Sequence, residues 1–285
     1  MIIAVASGKG GTGKTTIAVN LALSIGKLEF IDCDVEEPNA HLFLKPEVTE
    51  TKPVYTMVPE FDFEKCNYCG ECSKICAYNA LSVLKYSDGE KPEGDILFFA
   101  HLCHGCGGCV LLCPEKAIKE GKREIGVINI GKKGDIRFIE GRLNVSEVLA
   151  PAVIEEARSL VDPKKNIVII DAPPGSACPV VASLREVDFC ILVTEPTPFG
   201  LHDLEIAYEV TKVLGVPSGV VINKSGDDEI IDRFCEKKEI PILMRIPFDR
   251  EIARAYAEGK ALVEVFPEYK ERFLEMFERI RGQLK

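Results

Sequence analysis

The 285-residue sequence contains no run of 18 apolar residues, which excludes a helix that crosses a bilayer. It has no basic excess either: 35 Lys and Arg stand against 45 Asp and Glu, a formal net charge of −10. A general nucleic-acid binder carries a basic footprint, so no nucleic-acid partner is expected. Neither a basic leader nor a cleavage motif precedes the opening Ile2-Ile3-Ala4-Val5-Ala6, and a cytoplasmic protein without a signal peptide is the expectation. Gln283 is the single glutamine, beside abundant Lys and Glu, a balance that matches a hot-growing source. What remains, 46% hydrophobic and 28% charged residues, is ordinary for a folded chain. The length suits one large domain or two modest ones, with a core that needs no disulfide staples.

Cysteine is the one abundance out of proportion. The chain has 12, and in a reducing compartment thiols point to metal binding or catalysis rather than disulfides. Eight lie between Cys66 and Cys113, whereas Cys33, Cys178, Cys190 and Cys235 are scattered. The scattered four read as small core thiols.

Outside the cysteine-rich stretch, short apolar runs alternate with helical patterns. Strands are expected at Ile2–Ala6, Leu28–Asp32, Ile167–Asp171, Asp188–Thr194, Ser218–Asn223 and Ile242–Ile246. Helices are expected at Lys14–Ile25, Val145–Leu160, Leu201–Leu214, Asp227–Glu236, Arg250–Glu258 and Glu268–Gln283. Strands separated by helices imply crossovers, hence an α/β fold with a mostly parallel sheet and helices on both faces. Residues 58–121 break the rhythm, so an inserted α+β domain is expected there, with residues 1–57 and 122–285 forming the α/β domain. Within it Cys66, Cys69, Cys72 and Cys76 recur 37 residues later as Cys103, Cys106, Cys109 and Cys113. Ser87 to Asp95, between the two halves, reads as an exposed loop.

Gly8-Lys9-Gly10-Gly11-Thr12-Gly13-Lys14-Thr15-Thr16 contains the G-x-x-x-x-G-K-[ST] pattern between an apolar strand and a helical segment, the context of a P-loop. Glycines let backbone N–H groups turn inward around phosphates, and the helix N-terminus adds partial positive charge. Lys14 should reach the β- and γ-phosphates and the Thr15 hydroxyl should ligate Mg²⁺. Asp171 ends an apolar strand, as a Walker B carboxylate does, and Asp32 and Asp34 end another. All three fall at carboxyl strand ends, where ligands of such sheets lie.

Together these residues resemble the MinD/ParA superfamily, whose deviant Walker A motif has a second lysine, here Lys9. Asp32-x-Asp34, Asp171-Ala172-Pro173-Pro174-Gly175 and Val221-Ile222-Asn223-Lys224 are similar to its other signatures. The resemblance implies an ATPase that binds ATP and ADP with Mg²⁺ and forms a homodimer on ATP binding, Lys9 reaching the partner's phosphates. It implies that Asp34 orients the attacking water, that Asp32 and Asp171 serve the Mg²⁺ side, and that Asn223 reads the adenine edge. From the residues alone, Asn223 is equally a strand-end turn residue.

Each cysteine block reads C-x₂-C-x₂-C-x₃-C, the bacterial ferredoxin spacing, and Pro114 follows the second. That spacing holds three corners of a cuboidal cluster and sends the fourth cysteine to the other cluster. Cys66, Cys69, Cys72 and Cys113 are therefore expected to hold one 4Fe–4S centre, and Cys103, Cys106, Cys109 and Cys76 the second. Ala77 stands where ferredoxins usually have proline. Zinc is the competing occupant of C-x₂-C pairs. The stretch resembles a two-cluster ferredoxin over nearly its full length.

Weaker signals complete the reading. His104 reads as a solvated loop histidine beside a cluster. Tyr269, Phe273, Met276, Phe277, Ile280 and Leu284 recur at helical spacing, and this stripe is expected to pack on the sheet rather than on a membrane. Three purposes compete: ATP-gated electron transfer to a protein partner, an iron–sulfur or metalloprotein maturation carrier, and a positioning switch with redox-sensing clusters. The spacing, with every ligand in one chain, favours the first.

Overall fold

The computed structural model describes residues 1–87, 92–164 and 166–284. The chain opens with β1 (Ile2–Ala6), α1 (Lys14–Ile25), β2 (Leu28–Asp32), α2 (Ala40–Leu44) and β3 (Glu47–Phe61). Next come α3 (Glu71–Ile75), β4 (Leu81–Ser87), β5 (Glu93–Phe98), α4 (Gly108–Leu111), β6 (Ile118–Lys133) and β7 (Ile136–Leu143). A regular alternation follows: α5 (Ala150–Ser159), β8 (Val168–Asp171), α6 (Cys178–Leu184), β9 (Phe189–Thr194), α7 (Pro198–Val213) and β10 (Ser218–Ser225). It ends with α8 (Glu229–Lys238), β11 (Ile242–Pro247), α9 (Arg250–Ala257), α10 (Leu262–Val265) and α11 (Glu268–Gln283).

Nine strands form one sheet in the order β11-β10-β9-β1-β8-β2-β7-β6-β3. From β11 to β7 every pair is parallel. All residues of β1, β2, β8 and β9 are buried, so both faces of the central sheet are covered, as parallel strands require. The six strands read from apolar runs are present, whereas β3, β6 and β7 had no such signal. β3 is mostly exposed and β7 carries the buried Glu140, so neither shows the periodicity that marks a strand. Gly134, at φ 58°, turns β6 into β7, and Gly131 against Glu47 and Gly121 against Glu60 set β3 antiparallel to β6.

Two further expectations are corrected. The helix expected from Val145 starts at Ala150, because Pro151 is tolerated only in a first turn. Of the loop expected from Ser87 to Asp95, Ser87 and Glu93–Asp95 belong to the antiparallel β4–β5 hairpin, and residues 88–91 lie outside the described residues.

The chain divides into two compact units. The larger comprises Met1–Lys52, Val127–Arg142 and Ala150–Lys285. Its core joins Ile3, Val5, Phe30, Phe138 and Ile191 of the sheet to Ile17 and Leu21 of α1 and Phe273 and Ile280 of α11. Tyr269, Met276 and Phe277 are buried with them, and the Arg272 guanidinium donates to the Arg245 carbonyl of β11 at 2.6 Å. The apolar stripe of α11 thus faces the sheet. The smaller unit comprises Pro53–Gly126 and Leu143–Leu149, with a core around Cys72, Leu81 and Ile118. Among the described residues no helix is long and apolar enough to cross a membrane.

Candidate functional site

The larger unit holds a cavity of about 620 Å³ lined by Gly10, Gly11, Gly13, Lys14, Thr15 and Thr16 of the P-loop, with Asp34 and Asn223. Gly13 adopts φ 96°, and a Cβ there would meet Asn223 Nδ2 at 2.4 Å, so no other residue fits. Asn223 donates that amide to the Thr12 carbonyl at 2.8 Å, bracing the loop from β10. A Cβ on Gly8 would lie 2.1 Å from the Asp203 carbonyl oxygen. The same Asp203 of α7 faces the Lys9 ammonium at 3.9 Å. Lys9 therefore pairs within its own chain here.

Asp171 and Asp32 are register partners on β8 and β2, both fully buried. Among the described residues no group meets the buried Asp171 carboxylate oxygens with full hydrogen-bond geometry, and burial pushes the acid up to about 7 against the pull of Lys14 and of the neighbouring Thr15 hydroxyl. Orphaned oxygens beside Lys14 and Thr15 suit a cation that carries phosphate oxygens. Asp32 is different. Its carboxylate accepts the N–H groups of Asp34 at 3.1 Å, Asn39 at 3.1 Å and Ala40 at 3.0 Å. It is raised by burial and by Asp171, and its oxygens organise the loop between β2 and α2. Asp34, at the start of that loop, is also raised by burial, opposed by Lys14.

One part of the cavity had no motif to announce it. Pro247 at the end of β11, Phe248 and Asp249 just after it, and Ile252 and Tyr256 of α9 line the same space as the P-loop. The signal available was position: they follow a parallel strand at its carboxyl end.

Removing the unpaired acid predicts opposite effects on stability and function. A carboxyl raised in the folded state binds protons that the unfolded chain releases, so stability falls as pH rises from about 4 towards 7. Asp171→Asn should be more stable than wild type at pH 8 without nucleotide, by about 2 kcal/mol, the gap closing towards pH 5. It should lose Mg²⁺-dependent hydrolysis. Thermal melts at both pH values check the sign.

In the smaller unit, two small cavities partition the cysteines. One is lined by Cys66, Cys69, Cys72 and Cys113, with Val83 and Ile96. The other is lined by Cys76, Cys103, Cys106 and Cys109, with Met57 and Pro59. The 37-residue repeat is visible in the backbone: positive φ recurs at Tyr68 and Gly105, Gly70 and Gly107, and Asn79 and Lys116. The Ala80 N–H donates to Cys76 Sγ at 3.2 Å, and Ala117 does the same to Cys113 Sγ at 3.3 Å. As the thiols stand, no group of three or more His, Cys, Asp or Glu among the described residues could hold a metal ion.

His104 is exposed yet not simply solvated: its ring stacks on Tyr78 at 3.7 Å and 6°, at the rim of the second cavity. Cys33, Cys190 and Cys235 are buried, but Cys178, expected in the core, is exposed at the start of α6.

A phosphate-cradling loop at the carboxyl edge of a parallel sheet, with an acid on the adjacent strand, defines a P-loop NTPase. Residues 3–263 match the CobQ/CobB/MinD/ParA nucleotide binding domain, and the chain belongs to that family as a P-loop ATPase. An uncharacterized protein of Methanocaldococcus jannaschii is 32% identical over 93% of this chain and 92% of its own length. An iron-sulfur cluster carrier protein of Pyrococcus horikoshii is 26% identical over 99% of this chain and 86% of its own. Among solved structures, the septum site-determining protein MinD complexed with Mg-ADP from Pyrococcus horikoshii superposes with a TM-score of 0.60 at 20% identity, covering 98% of this chain and 95% of that one. Its fold is that of this chain.

Proposed function

We propose that the nucleotide state of this ATPase governs electron transfer from two 4Fe–4S clusters, held by the cysteine-rich unit, to a protein partner. The observation that carries the reading is the crossed lining of the two cavities, three cysteines from one block and one from the other in each. Bound there, the clusters would supply low-potential one-electron chemistry. The chain contributes eight thiolates, apolar walls that limit water, and N–H donors to Cys76 and Cys113 sulfur, which are levers on potential. In the other unit Lys14 meets the β- and γ-phosphates, Thr15 and Asp171 hold Mg²⁺, and Asp34 orients the attacking water. Lys9, released from Asp203, reaches the phosphates of a second copy in an ATP-bound homodimer. Asp34→Ala should then retain ATP and slow turnover at least tenfold, trapping that dimer, as a gel-filtration run with ATP would show; wild-type turnover would remove Asp34 from the site.

A maturation carrier is the second reading, favoured by the similarity to proteins named as iron-sulfur cluster carriers. Incubation with an apo-ferredoxin separates the two. Clusters that stay with the chain while it reduces an added acceptor support electron transfer; intact clusters passing to the apo-ferredoxin support the carrier.

A further inference from the structure

Glu140 has no part in the site described above, yet it is a carboxylate only 3% exposed in the middle of the sheet. It is the register partner of Asp32, as Asp32 is of Asp171, so three buried acids share one row across β8, β2 and β7. Such a row is costly to its middle member: burial and the flanking Asp171 and Glu140 raise Asp32. An apolar strand residue would pack there without that penalty.

The partners of Glu140 suggest what the acid is kept for. One oxygen meets His41 Nδ1 at 2.6 Å, and His41 immediately follows Asn39 and Ala40, whose N–H groups Asp32 holds. The other oxygen accepts from Asn129 Nδ2 at 3.1 Å and from the Arg142 guanidinium at 3.4 Å, and Asn129 Oδ1 accepts the Thr51 hydroxyl at 2.9 Å. Asn129 lies on β6 and Thr51 on β3, the strands by which the chain leaves and enters the cysteine-rich unit.

We propose that Glu140 and His41 are positioning residues for the loop that carries Asp34, fixing its exit to the two strands that continue into the cysteine-rich unit. Two adjacent carboxylates divide the work. Asp32 clamps the backbone of the loop, and Glu140 clamps the side chain of His41, the second residue of α2, and ties it through Asn129 to Thr51. Asp34 lies between two anchors: its own N–H on Asp32 at one end and residues 39–41 at the other. The inference rests on Asp34 serving the bound nucleotide.

The test is steady-state ATP hydrolysis by the full-length, anaerobically purified protein, comparing Asp34→Ala, Glu140→Gln, His41→Phe and the Glu140→Gln/His41→Phe pair. Loss of positioning should lower kcat about ten- to hundredfold and leave KM for ATP within about twofold, because the P-loop is untouched. The double variant should be no slower than the slower single, since both singles break the His41–Glu140 contact. His41 is one-third exposed, so His41→Phe keeps the test decisive if Glu140→Gln does not fold. Wild-type kcat in His41→Phe, or multiplying defects in the pair, would overturn the proposal. Wild-type turnover by Asp34→Ala would instead overturn the reading of the loop on which it rests.

Discussion

Anaerobically purified protein is expected to contain about eight iron atoms per chain, four for each of two cuboidal clusters. Each cavity draws three cysteines from one block and its fourth from the other, so clusters bound there would not divide along the sequence. Cys113→Ser should therefore lose the cluster of Cys66, Cys69 and Cys72 rather than that of its own block, reducing iron to about four per chain. Cys76→Ser should do the converse. Reduced wild-type protein should give a paramagnetic resonance signal with coupling between neighbouring spins, and each single variant should lose the coupling. Zinc at two per chain, or a Cys113→Ser protein that loses the centre of Cys103, Cys106 and Cys109, would refute the assignment.

Lys14→Ala should abolish nucleotide binding. Lys14 is buried at the mouth of α1, and Asp34 and Asp171 both feel its charge. Without it, β- and γ-phosphates would approach two acids with only backbone N–H groups to oppose them. A charge-assisted contact in a sheltered site is worth about 3–5 kcal/mol when one partner is removed, which is two to three decades or more of affinity. Calorimetric titration with Mg²⁺-ADP should show no saturable binding at concentrations that saturate wild type. Cluster content should not change, because the substitution lies in the other unit. Binding within tenfold of wild type would mean that the loop does not use Lys14 as a P-loop does.

Residues whose chemistry dictates spacing were legible in the sequence. The P-loop must run strand, glycine turn, helix, and α1 begins at Lys14 as that grammar requires. Asp171 was visible because four apolar residues lead up to it. Partners supplied by distant segments were not legible. Asp203 meets Lys9 and Glu140 meets His41 only through the sheet order, which no local pattern states. Pro247 to Asp249 line the cavity by position alone. β3 escaped notice because edge strands need no apolar alternation, and Cys178 was misplaced because burial of a lone thiol depends on what packs over it.

If nucleotide state governs the clusters, the two must be energetically linked. β3 and β6 run unbroken from one unit into the other, so the strands that carry Thr51 and Asn129 also frame the cysteine blocks. Linkage is reciprocal: whatever ATP does to cluster reduction, reduction must do to ATP affinity. For a one-electron couple, a tenfold change in affinity corresponds to about 59 mV. The direct measurement is a redox titration of each cluster with no nucleotide, with ADP, and with ATP on the Asp34→Ala background. At least one midpoint is expected to shift by tens of millivolts between the ADP and ATP states. Midpoints that agree within about 10 mV, a coupling below ~0.25 kcal/mol, would contradict it and leave the carrier reading in its place.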